Sequence, residues 1–195
     1  MSCQCIRLGI YGDGKWARDP TPLMTVSIKD ARNSPMDQQW IQSSYGEYLN
    51  DLSGSSMNTG MFPAFSKSEE FGDRAPDLMA HWFADDSSHP LVIMQNERPV
   101  GFALVSRPPV NRRNEIDFRL AEFFVTASAR RLGVGANAAT LIFSRFAGRW
   151  EVIEFLRNSG AVAFWRNIIG KYTSGRFLEA VANGEVRHVF QSTRS

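Results

Sequence analysis

Two stretches of the chain carry residues spaced for chemistry. The first is Arg130-Arg131-Leu132-Gly133-Val134-Gly135-Ala136, between an apolar run ending at Val125 and an apolar helical pattern. Gly133 and Gly135 lack Cβ, so the backbone can curl tightly and turn its N–H groups outward. A helix beginning there adds the positive end of its dipole. Arg130 and Arg131 add cations shaped for bidentate phosphate contact. Together these features make a phosphate cradle. They do not make a dinucleotide fingerprint, because Ala138 stands where the third glycine belongs. Glu151 and Glu154 also fit only loosely the acid expected about 20 residues on. The second stretch is Leu120-Ala121-Glu122-Phe123-Phe124-Val125. A carboxylate in so apolar a strand should have a raised pKa, which suits a general base working near neutrality. The competing reading is a structural glutamate paired with an arginine such as Arg119. Asp117 and Glu154 are lesser candidates for the base. A third run, Gly9 to Lys15, fits G-x-x-x-x-G-K, but Trp16 replaces the required hydroxyl and Pro20 and Pro22 deny the loop its helix. It is rejected as a nucleotide loop.

The elements that must hold these residues are legible in the hydrophobic pattern. Residues 1–23 show no sustained period and read as a flexible extension, with Met24 as the true or an alternative start; the domain proper spans 24–195. Met24, Val26 and Ile28 alternate with polar residues, as in a half-buried strand. Ser34-Pro35 opens a helix running to about Leu52, with Trp40, Ile41, Tyr45, Tyr48, Leu49 and Leu52 on its apolar side. A Ser- and Gly-rich loop over 53–72 could line an acceptor entrance, and a helix is expected over Asp73–Ala84. Two apolar strands then flank the turn Asn96-Glu97-Arg98. Residues 107–115 read as a polar loop, and Ile116–Val125 as a central strand. Ala129–Phe146 reads as a helix, Trp150–Leu156 as a strand, and Ala161–Ile169 as a short helix ended by Gly170. Two last strands are read over 171–181 and 184–192. Trp150, Phe155, Phe164 and Trp165 are assigned to the core, and His81 and His89 to the surface or a helix cap. This order describes one mixed α/β domain.

The segment from Glu122 to Phe146 resembles the acyl-CoA motif of the GNAT N-acetyltransferase superfamily, R/Q-x-x-G-x-G/A after a strand ending in Val. Arg130, Gly133 and Gly135 occupy its positions, and Asn158 and Ala161 match the N-x-x-A spacing downstream. The resemblance implies a GNAT-like mixed, mostly antiparallel, six- to seven-stranded twisted sheet flanked by about four helices. It implies acetyl-CoA (coenzyme A) as cofactor and direct transfer of an acetyl group to an amine of a small molecule, peptide or protein. Backbone amides from Arg131 through Leu132, Gly133, Val134 and Gly135 to Ala136 would hold the pyrophosphate, beside Arg130. Main-chain groups of Phe124 and Val125 would pair with the pantetheine arm, and Asn158 would reach it from the other side. Glu122 would be the catalytic base. Many relatives carry a tyrosine where this chain has Trp165, and an indole is not an ordinary acid. Tyr172 or water would then protonate the thiolate. Otherwise the thiolate leaves unassisted, or the protein is a non-catalytic acyl-CoA-binding sensor or interaction module.

Composition narrows the rest. The 195 residues are 43% hydrophobic and carry a net charge of +2. Residues 1–97 hold 7 Lys and Arg against 13 Asp and Glu, whereas residues 98–195 hold 15 against 7, and 14 of those 15 are arginines. The basic half suits an anionic ligand, and the acidic half a cationic acceptor. The arginines are dispersed and accompany no recognition motif, which argues against nucleic acid. Two cysteines, Cys3 and Cys5, exclude a disulfide framework. They and three histidines fall in no ligand spacing, so no metal is expected. No apolar run reaches membrane-spanning length and no secretory leader is recognised, so the expected compartment is the cytoplasm. A homodimer is left open.

Overall fold

Seven strands form one sheet in the order β1-β2-β3-β4-β5-β7-β6. The computed structural model describes residues 24–54, 80, 82–108 and 115–193. The expected extension (1–23), most of the loop over 53–72 and of the helix over Asp73–Ala84, and residues 109–114 lie outside them. The strands are β1 (Val26–Asp30), β2 (Ser88–Gln95), β3 (Arg98–Ser106), β4 (Phe118–Val125), β5 (Gly148–Phe155), β6 (Phe177–Ala182) and β7 (Glu185–Ser192). Three long helices, α1 (Pro35–Gly54), α2 (Val134–Arg145) and α3 (Ser159–Thr173), accompany them, with helical residues at 82–84. All pairings are antiparallel except β4 with β5. The expected mixed, mostly antiparallel architecture is therefore observed.

Local chemistry explains the elements. Ser34 accepts the Asp37 N–H at 3.3 Å as α1 begins, and Pro35 fills the first helical position, where no donor is needed. Asn96 and Glu97, with φ of 48° and 64°, form the tight turn between β2 and β3. Asn183 and Gly184 do the same between β6 and β7. Ile41, Tyr45 and Tyr48 of α1 pack with Trp82, Phe102 and Phe124 on one face of the sheet. On the opposite face, α2 and α3 bury Phe143, Trp165 and Ile169 against Leu120, Trp150 and Phe190.

Several boundaries differ from the sequence reading. Helix α2 begins at Val134, because a 3-10 turn (Ala127–Ala129) and the curled segment after it occupy the expected first turns. Helix α3 runs through Gly170 to Thr173 and absorbs the start of what reads as a strand. Its stop is Ser174-Gly175, both left-handed (φ 54° and 81°), and the Gly175 N–H closes on the Gly170 carbonyl at 2.8 Å. Phe155 is 43% exposed, since alternation turns it to the face opposite α2 and α3 at the end of its strand. His89 lies within β2, and its ring packs on Phe146 at 4.8 Å, so it caps no helix.

Candidate active site

Strand β4 is held differently on its two edges. Along β3 it pairs from Arg119 to Val125, with a bulge at Ala121 that places two residues of β4 per one of β3. Along β5 it pairs only through Phe118–Leu120 with Trp150–Val152, and beyond these residues the strands part. The Thr126 N–H donates to the Val100 carbonyl at 2.9 Å. Alternation from that bond turns the main chain of Phe124 toward β3, and those of Phe123 and Val125 toward the gap. A Cβ on Gly101 would meet the Phe124 carbonyl oxygen, consistent with that direction. The expectation for Phe124 thus moves by one residue, to Phe123. Val125 keeps its N–H for the gap, but its carbonyl accepts Arg130 Nε at 2.7 Å.

At the end of β4 the chain enters the glycine turn. Arg131 is left-handed at φ 60°, as is Gly133 at 81°, so consecutive amides change direction there. Gly133 is the N-cap of α2 and supplies no capping side chain. The amides of Val134, Gly135 and Ala136 accordingly have no intrahelical partner. Val134 is fully buried and anchors the helix, whereas Leu132 is 54% exposed. A Cβ on Gly135 would lie 3.4 Å from the Phe164 ring. Arg130 is tied down by its bond to Val125, by an ion pair with Asp51 of α1, and by its place 5.6 Å from the centre of the Phe124 ring. It braces the turn from its exposed side. Asn158 is the N-cap of α3, where its Oδ1 accepts the Ala161 N–H at 3.3 Å; the N-x-x-A spacing therefore has a local capping cause.

Glu122 sits at the mouth of the gap, half-buried on the α1 face. Its carboxylate accepts a hydrogen bond from the Tyr48 hydroxyl. Burial pushes its pKa up to about 7, the Tyr48 bond pulls the other way, and the nearby Glu154 charge adds to the rise. Burial and the same carboxylate hold Tyr48 protonated far above the ordinary tyrosine range. Arg119, the expected structural partner of Glu122, is elsewhere: it bonds Glu151 Oε2 at 2.7 Å, directly opposite it in the β4–β5 pairing. Arg187 takes the other oxygen of Glu151. Asp117 is structural too, since its Oδ2 accepts the Arg149 N–H at 2.7 Å. Glu154, on β5 across the gap, accepts the Trp165 indole N–H at 2.9 Å and is raised by burial. Tyr172 is not brought to this site. Its hydroxyl lies 3.4 Å from Ser144 in the last turn of α2, about 14 Å along the helix from Gly135. Sequence reasoning missed Tyr48 as a partner of Glu122, having placed it only on an apolar stripe, and no local signal near either residue points to the pairing. No group of three or more metal-ligating side chains occurs among the described residues.

The family model described as the acetyltransferase (GNAT) family matches residues 56–170. The chain belongs to the GNAT acetyltransferase family. Solved GNAT-fold structures align over most of its length. A GNAT-family acetyltransferase from Streptococcus agalactiae shares 12% identity at a TM-score of 0.58, covering 87% of this chain and 96% of that one. An acetyltransferase from Thermus thermophilus shares 16% at 0.55, covering 86% and 97%. Aminoglycoside 6'-acetyltransferase type Ii shares 12% at 0.55, covering 86% and 96%. At such identities these likenesses speak to the fold alone. No curated protein matches this chain in sequence.

Proposed function

We propose that this GNAT chain is an N-acetyltransferase that moves an acetyl group directly from acetyl-CoA to an amine of a small molecule, peptide or protein. The observation that carries the reading is Glu122: a carboxylate with a pKa raised to about 7, bonded to Tyr48, at the point where β4 and β5 separate. The surrounding residues fit the donor. The open main chain of Phe123 and the N–H of Val125 would pair with an extended amide-bearing arm. The uncapped amides of Val134, Gly135 and Ala136, with those of Arg131, Leu132 and Gly133, would hold a pyrophosphate beside the exposed Arg131. Asn158 would reach the arm from α3 through its side-chain amide, its oxygen being engaged by the cap. Acetyl-CoA, when bound, supplies an activated thioester. Glu122 takes the proton of the attacking amine, and Tyr48 orients its carboxylate.

A second reading, a non-catalytic acyl-CoA sensor, is favoured by one observation: the Tyr172 hydroxyl lies beside Ser144, at the opposite end of α2 from the glycine turn. Calorimetric titration with acetyl-CoA and CoA, followed by an amine screen, separates the two. Saturable binding that is lost in Gly135→Glu, with turnover on an amine, is the expected result. Binding without turnover on any amine would support the sensor, and no binding would overturn both. Among the described residues no helix is long and apolar enough to cross a membrane, and we assign the enzyme to the cytoplasm.

A further inference from the structure

Glu154 is a desolvated carboxylate to which the transfer just described gives no task. It occupies β5 opposite Val186 of β7. Two residues earlier, Val152 lies in the core beneath α2 and α3, so alternation places Glu154 on that same face. Glu122 lies on the other face, toward α1. The last paired residues of the two strands are Leu120 and Val152. Glu122 and Glu154 therefore each stand two residues beyond the final pair, on either side of the gap and on opposite faces of the sheet. They are near enough for the charge of Glu154 to raise the pKa of Glu122.

Direct acyl transfer needs two proton movements at two places. The amine must lose a proton where it attacks, and the sulfur should gain one where it departs. We propose, on the basis of the transferase reading, that Glu154, held by Trp165, is the general acid that protonates the departing sulfur while Glu122 serves the amine. The N–C bond forms and the C–S bond breaks. One proton passes from nitrogen to Glu122 and one from Glu154 to sulfur, leaving an amide and a thiol. Exchange with water restores both carboxyl groups.

The surroundings of Glu154 suit this work. Its Oε1 takes the Trp165 N–H, and among the described residues no hydrogen bond is made to Oε2, the oxygen left to carry the proton. Trp165 is 2% exposed and is fixed by edge-on contacts with Phe123 at 5.0 Å and Phe164 at 4.8 Å. It is a positioning residue. The titratable groups facing Glu154 are Glu122 from β4 and Tyr48 from α1, both close enough to feel its charge. From β7 the nearest is His188, opposite Val152 and bonded instead to Glu179. Burial outweighs the Trp165 bond and keeps the Glu154 pKa above the usual carboxylate range.

Two measurements on the full chain test the role. In ligand-free protein, the indole N–H resonance of Trp165 should show a pH step that disappears in Glu154→Gln. In turnover, Glu154→Gln should lower kcat about 10- to 100-fold and remove the alkaline descending limb while keeping the acidic ascending limb. Trp165→Phe removes a bond that favours the ionised acid, so the ionisation of Glu154 in the pH–rate profile should move to higher pH without vanishing. This variant also serves should Glu154→Gln fold poorly. An unchanged kcat and descending limb in a Glu154→Gln protein that melts and binds CoA like the parent would overturn the acid role alone. So would a Trp165 resonance without a step. No turnover by the parent on any amine would overturn the transferase reading itself, and the acid role with it.

Discussion

Ionising Glu122 costs the folded chain free energy, because burial raises its pKa from the usual 4.5 to about 7. Between those values the folded state holds more protons than the unfolded one, so stability falls as pH rises through this window. Over 2.5 units the contribution is about 3 kcal/mol. Urea unfolding at pH 5 and pH 8 should show a steeper fall for the parent than for Glu122→Gln, and equal slopes would refute the assignment. In turnover the same substitution should lower kcat about 100- to 1,000-fold and erase the ascending limb near pH 7. Glu151 shows the opposite case, a fully buried carboxylate between Arg119 and Arg187, whose side chains are 31% and 37% exposed. Glu151→Ala would leave two cations to rehydrate only partly, and should cost about 2–3 kcal/mol by thermal or chemical melting. The sequence shows that Glu122 is a carboxylate in an apolar strand. It cannot show that Arg119 faces Glu151, because that pairing depends on which strand lies alongside β4.

At the scale of elements, the glycine turn was legible because its chemistry is local: two glycines, flanking arginines and a change of period. Its occupancy by coenzyme A is testable without turnover. In Gly135→Glu the new carboxylate sits in the first turn of α2, where the dipole favours it. The fold should therefore melt within a few degrees of the parent while calorimetric CoA binding disappears. Gly101 has a different reason to be glycine. A Cβ there would come within 2.3 Å of the Phe124 carbonyl oxygen, so Gly101→Ala should cost about 2–3 kcal/mol, seen as a lower urea midpoint. The end of α3 was misread because Gly170 is a common stop signal. Here α3 simply packs that glycine near Phe177, 3.7 Å from where a Cβ would be, and the left-handed pair after Thr173 makes the stop. The bulge at Ala121 left no mark in the composition, yet it decides that Phe123, and not Phe124, turns its main chain toward the gap.

For the whole molecule, the order of strands and helices was readable from periodicity, while contacts between distant segments were not. Tyr48 and Glu122 are 74 residues apart, and nothing in either neighbourhood announces the other. The charge division has a consequence at this scale. If the acidic half forms the acceptor wall, cationic amines should show higher kcat/KM than neutral ones, with the advantage shrinking several-fold between about 0.05 and 0.5 M salt; activity confined to neutral amines would contradict it. The one-sided pairing of β4 also has an isotopic consequence. Amides of Glu122 and Phe124 are locked against β3, whereas those of Phe123 and Val125 meet no strand on the other edge. In heavy water the second pair should take up deuterium well before the first, and an arm lying in the gap should slow them until the four resemble one another. The strand thus keeps its own record of whether its missing neighbour has arrived, written in hydrogen mass.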